Sequence, residues 1–263
     1  MKKIKDIIKI MEDFAPKSLK EDFDNVGFMV GDKEKEVKKI LLALDCTLDV
    51  IEEAKEKNID LIITHHPLLF RKPSSITTDT IIGKKIIELI KSDIGLYSSH
   101  TNLDSAEEGL NETIVKIIGL QEGIVLEKNK NSRNDKEGLG RLVKLEEPLI
   151  LEDLVSLIKE KLNIPFVKLV KGNNSVRNIA VINGSGSDFI SMAVKKGADC
   201  IITGDTTYHY ALDYQEMGVS IIDTGHFPSE WIVFQEVINK IKEKFDGIEI
   251  IVSNKSKDPY ILL

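Results

Sequence analysis

At 263 residues, 42% hydrophobic and 30% charged, the chain can bury the core of one large domain or two modest ones, so disorder is not the default expectation. With 36 Lys and Arg against 43 Asp and Glu, its formal charge of −7 argues against nucleic acid or anionic lipid as a main partner. No run approaches the roughly 20 apolar residues that cross a bilayer, so no membrane insertion is expected.

From the amino end, Met1 to Ile10 has a basic lead, but charges recur before an apolar stretch develops, which predicts an amphipathic helix rather than a signal peptide. Ile40 to Leu44 is a strand-like run ending at Asp45, followed by a helix over Val50 to Lys57. Leu61 to Thr64 is a second strand, Asp79 to Lys91 a second helix, Ile94 to Ser98 a third strand and Asn111 to Ile118 a further helix. Residues 127–140 carry almost nothing to bury and read as an exposed loop, which sets a domain boundary. Beyond it come Arg141 to Leu145 as strand, Leu151 to Leu162 as helix, and Ile179 to Ile182 as a core strand entering Gly184-Ser185-Gly186. Ile190 to Lys196, Cys200 to Thr203, Tyr208 to Met217 and Val219 to Ile222 continue the alternation. A helix from Ser229 to about Phe245 and an apolar run from Ile248 to Val252 close the chain.

Alternating strands and helices predict an α/β protein with helix-covered sheets. The expected division is a first lobe over 1–126, completed by 229–263, and a second over 127–228. One stretch supports two similar lobes: Glu53 to Thr64 parallels Met192 to Thr203 in helix, turn and strand spacing. Any passage from a helix into a buried strand has much the same pattern, so duplication and coincidence both remain open.

All five histidines lie just after a strand-like run or in the helix start that follows one. In open α/β sheets, ligands bind at such strand ends. Adjacent residues of an extended chain point apart, so His65 and His66 can straddle two ions better than chelate one; alternatively, one of them is simply hydrogen-bonded in the fold. Asp104 follows His100 in a short turn and is either a ligand or a helix cap. His226 and Glu230 are four apart, on one face of a helix whose first turn suits Pro228; the alternative is an ordinary surface pair. Gly184-Ser185-Gly186 could offer backbone N–H groups to an anion, or be a plain turn. Cys46 and Cys200 sit in or beside apolar runs and read as small buried hydrophobes, which suits a reducing cytoplasm.

Several ordered motifs resemble the GTP cyclohydrolase I type 2 homologue family, the Nif-three-like proteins. They are Glu21-Asp22-Phe23-Asp24-Asn25-Val26-Gly27, Thr64 to Phe70, His100-Thr101-Asn102-Leu103-Asp104, Gly184-Ser185-Gly186, Thr203-Gly204-Asp205 through His209, and Asp223 to Glu230. The likeness covers nearly the whole chain. It implies two α/β lobes with a dinuclear metal centre between them, and a ring-shaped homohexamer. By position, His65, His66, Asp104, His226 and Glu230 look like the ligands, with Glu230 bridging, and His100 and His209 look like pocket residues that handle protons or substrate. Phe23 stands where the family more often has tryptophan, and Phe28-Met29 replaces the common Leu-Gln; neither change touches a ligand.

The expected cofactor is two divalent ions per subunit; nitrogen and carboxylate donors suit Zn, Mn, Fe, Co or Ni better than Ca. The expected activity is hydrolysis of an unidentified small molecule by a hydroxide shared between the ions, with His100 or His209 as acid or base. Metal storage, delivery or sensing, and a regulatory scaffold without turnover, are the alternatives.

Overall fold

The structure is a computed structural model describing residues 1–261, so the expected closing segment 229–263 ends on Leu262 and Leu263, outside the described residues. Contacts group the chain into two units: Met1–Leu103 with Ile238–Leu263, and Asp104–Val237.

The first unit holds α1 (Ile4–Phe14), β1 (Gly27–Val30), β2 (Lys39–Ala43), α2 (Leu48–Glu56), β3 (Leu61–Thr64), α3 (Ile81–Lys91) and β4 (Gly95–Ser98). The short helix α4 (Thr101–Ser105) carries the chain out of it. The second unit holds α5 (Leu110–Ile118), β5 (Ile124–Lys128), β6 (Gly138–Ile150), α6 (Leu151–Lys161), β7 (Lys168–Val170), β8 (Ser175–Ser185), α7 (Ile190–Lys195), β9 (Cys200–Gly204), α8 (Tyr208–Glu216) and β10 (Ser220–Asp223). Helix α9 (His226–Ile241) leads back to β11 (Glu249–Val252). Helices start where the sequence offers caps: Thr47 accepts from the Val50 N–H ahead of α2, and Thr80 from that of Gly83 ahead of α3.

Among the described residues, the first sheet runs β1-β4-β3-β2-β11 and the second β5-β6-β8-β9-β10-β7. In the first, β11, β2, β3 and β4 are parallel and β1 is antiparallel at the edge. In the second, β8, β9 and β10 are parallel, flanked by antiparallel β6 and β7. Strands β3, β4, β9 and β10 are buried along their whole length, as parallel strands covered on both faces must be. Leu41, Val50, Ile51, Ala54, Ile62 and Leu96 anchor the first core; Ala180, Ile190, Ala193, Ile201 and Ile221 anchor the second.

The strand arrangement repeats between the two units. The order β1-β4-β3-β2 recurs as β7-β10-β9-β8 with the same strand directions. Asn58 and Gly197 occupy matching turns in the left-handed region. Asp60 then accepts the backbone N–H groups of Lys38 and Lys39, and Asp199 those of Arg177 and Asn178.

Two expectations change. The division by contacts falls at Asp104 rather than after Leu126, because α5 packs on β6 and β8. Residues 127–140 are the tip and flanks of the β5–β6 hairpin instead of an exposed loop throughout. Glu137 is fully buried and takes the Arg133 guanidinium, with Nε–Oε1 at 2.6 Å, while Asn129 folds back on the Asn131 N–H.

Candidate functional site

The carboxyl ends of β3 and β4 bring three histidines of the first unit together. Ring centroids lie 5.1 Å apart for His65–His66 and for His65–His100, and 5.5 Å apart for His66–His100. One nitrogen of each falls within 4.8 Å of the others, so the group can hold a metal ion. The end of β3 is clamped beneath them: the Thr64 hydroxyl lies 2.7 Å from that of Ser98 and donates to the His66 carbonyl at 2.8 Å.

Each ring has an oxygen partner. His65 Nδ1 donates to the Ser99 carbonyl at 2.8 Å, His66 Nδ1 to Asp45 Oδ1 at 2.9 Å, and His100 Nδ1 lies 3.1 Å from Asp24 Oδ1. Burial alone would raise the Asp24 carboxyl, but its contacts with His100 and with the Thr101 hydroxyl and N–H outweigh that and lower it to about 2.

In the second unit the expected donors are Asp104, His226 and Glu230; Asp104 falls in none of the groups close enough to share an ion among the described residues. Asp104 lies inside α4, and the N-cap of α5 is Gly109, so Asp104 does not cap that helix. Its Oδ1 accepts from Asn183 Nδ2 at 2.9 Å, and its carbonyl from Asn111 Nδ2 at 3.1 Å. His226 opens α9 and donates through Nδ1 to Asp205 Oδ2 at 2.6 Å. One turn on, Glu230 Oε2 lies 3.0 Å from His226 Nε2, and Glu230 is 3% exposed. Gly184, at the end of β8, leaves room for that carboxylate: a Cβ there would lie 2.1 Å from Glu230 Oε1.

These residues fit metal. A carbonyl or carboxylate oxygen only accepts, so Nδ1 of His65, His66 and His226 carries a proton, the arrangement in which outer-sphere partners orient histidines that ligate through Nε2. His226 Nε2 faces a buried carboxylate 3.0 Å away, a contact that is favourable only when a proton or a metal cation joins the two atoms.

Other candidates are placed differently. His209 is exposed at the start of α8, its ring 5.5 Å from that of Tyr208. The N–H groups of Gly184 and Gly186 are taken by Ser229 Oγ and Thr203 Oγ1, so these two are not offered to an anion. Cys46 and Cys200 are buried free thiols; burial pushes Cys46 up to about 12 and raises Cys200 as well, which suits small core residues. Sequence reasoning missed Asp24, Asp45 and Asp205 as partners of histidines. A signal existed for two: Asp45 and Asp205 each precede their histidine by 21 residues.

The sequence profile of Duf34/NIF3 (NGG1p interacting factor 3) matches residues 2–259. The chain belongs to the DUF34/NIF3 family. Relatives include a "GTP cyclohydrolase 1 type 2 homolog" of Clostridium perfringens, 55% identical with 98% of each chain covered, and one of Clostridium acetobutylicum, 50% identical with the same coverage. A crystal structure of Staphylococcus aureus hypothetical protein SA1388, 33% identical, superposes with a TM-score of 0.89 over 99% of both chains. DUF34/NIF3 membership agrees with the motifs around His65, His100 and His226. No helix among the described residues is long and apolar enough to cross a membrane.

Proposed function

We propose that this DUF34/NIF3 protein is a metal-dependent hydrolase in which His65, His66, Asp104, His226 and Glu230 hold two divalent ions. The observation that carries the reading is the orientation of His65, His66 and His226, each fixed through an Nδ1–H hydrogen bond to an oxygen, as ligating histidines are. When bound, such ions supply Lewis acidity toward a substrate oxygen and a nucleophilic water at neutral pH. The donor set suits Zn, Mn, Fe, Co or Ni.

Around that centre, His100, held by Asp24, exchanges protons with substrate, and Asn183 keeps the Asp104 carboxylate oriented. His209, on exposed α8, is the second proton-handling candidate. The protein works as a homohexamer, as the family resemblance implies, in a reducing cytoplasm that suits its two buried free thiols.

The relatives' name makes GTP the first substrate to test, followed by phosphoesters and cyclic amides. Turnover should vanish on chelation, return with added metal in the parent protein, and stay absent in Glu230→Gln. Tight metal binding with no turnover on any substrate would contradict the hydrolase reading and favour metal handling.

A further inference from the structure

We infer that Asp45 and Asp205 are positioning residues that hold His66 and His226 with Nε2 directed at the ions; this rests on the metal-binding reading above. Both pairs are made by the same piece of fold. Asp45 follows β2 and His66 follows β3, the parallel neighbour reached through α2. Asp205 follows β9 and His226 follows β10, the parallel neighbour reached through α8. Each carboxylate therefore sits at a strand's carboxyl end and meets a histidine from the next strand along, at 2.9 Å and 2.6 Å. The aspartates do not occupy equivalent places in the two repeats: one crossover is the first of its unit and the other the second. The pairing has thus been built twice on different strands.

Two further observations separate this arrangement from an incidental ion pair. The Asp45 and Asp205 side chains are 54% and 49% exposed, so neither fills a core, and a surface pair of this kind adds little to stability. Asp205 also keeps a φ of 55°, left-handed backbone that L residues other than Asn and Asp seldom adopt, at the point where its carboxylate reaches the ring. The next residue is fastened: the Thr206 N–H and hydroxyl both donate to Asp223 Oδ2, at 3.1 and 2.6 Å. The strained turn is thereby held where it aims Asp205 at His226.

Of the three proposed ligand histidines, two are backed by a carboxylate and one, His65, by a neutral carbonyl. Each carboxylate selects the tautomer, restrains the ring and adds negative charge one imidazole away from a cation. Asparagine preserves the acceptor and removes the charge; alanine removes both.

The test is zinc titration of chelator-stripped, full-length protein against a chromophoric competitor. Its samples are the parent, Asp45→Asn, Asp45→Ala, Asp205→Asn, Asp205→Ala, and exposed Asp49→Asn as control. Alanine variants should bind zinc about 10- to 100-fold more weakly, asparagine variants should fall between them and the parent, and Asp49→Asn should match the parent. Melting temperatures of the stripped parent, Asp45→Asn, Asp45→Ala and Asp205→Asn should coincide, whereas Asp205→Ala also carries the strain of alanine at a φ of 55°, so Asp205→Asn is the decisive variant at that position. Parent-like affinity in all four variants, with His66→Ala and Glu230→Gln losing zinc, would overturn the positioning roles and leave the metal reading standing. Affinity losses that merely track lower stripped-protein melting temperatures would overturn them too. A parent that binds no zinc would remove the metal reading and this inference with it.

Discussion

The carboxylate of Asp24 has no solvent contact, and it meets His100 on one oxygen and the Thr101 hydroxyl and N–H on the other. Burying a charge is costly without such partners, so this residue ties the Asp22-Phe23-Asp24-Asn25 turn to the strand end that carries His100. Its folded pKa, about 2, is below the ordinary 3.8. A depressed carboxylate contributes stability that is present above the unfolded value and lost as pH falls through the folded one. By linkage the contribution is about 2 kcal/mol at neutral pH, shrinking by about 1 kcal/mol by pH 3. Asp24→Asn should therefore be less stable than the parent in denaturant titrations with chelator at pH 7, with the gap narrowing toward pH 3. A gap of constant size would show that the charge is not what stabilises this turn.

Strand β8 does more for the second unit's donors than any single side chain. Its consecutive residues Asn183 and Gly184 touch Asp104 and Glu230 respectively, so one strand end sets two acidic groups. Gly184 has a φ of 59° as well as no room for a Cβ, and both requirements lead to glycine. Gly184→Ala should lower metal content measured by elemental analysis, because the Glu230 carboxylate must move. Gly197→Ala is the control: its φ is 91° but a Cβ there would meet nothing within 4 Å. It should cost about 1–2 kcal/mol of backbone strain and leave metal content unchanged. Equal metal loss in both would mean that strain, not displacement of Glu230, is responsible.

Across the whole molecule, the parallel strands were legible because a strand covered on both faces must be a continuous apolar run, as Leu61-Ile62-Ile63 and Cys200-Ile201-Ile202 are. The edge strands β1, β5 and β7 were not, since they are short, partly exposed and recognisable only by their antiparallel partners. The hairpin tip read as loop because side-chain contacts such as Arg133–Glu137 replace a hydrophobic interior there. Histidines at strand ends signalled a site, whereas Asp45 and Asp205 did not, because an acidic residue between a strand and a helix usually reads as a cap. The proposed ligand set rests on ordered motifs, and what the fold adds is the backing of each ring. That His65, His66, Asp104, His226 and Glu230 hold a pair of cations is the central claim, and elemental analysis of untagged protein tests it most directly. Two divalent ions per chain, lost when these residues are replaced, is the expected result; metal content that is unchanged in those variants would contradict it.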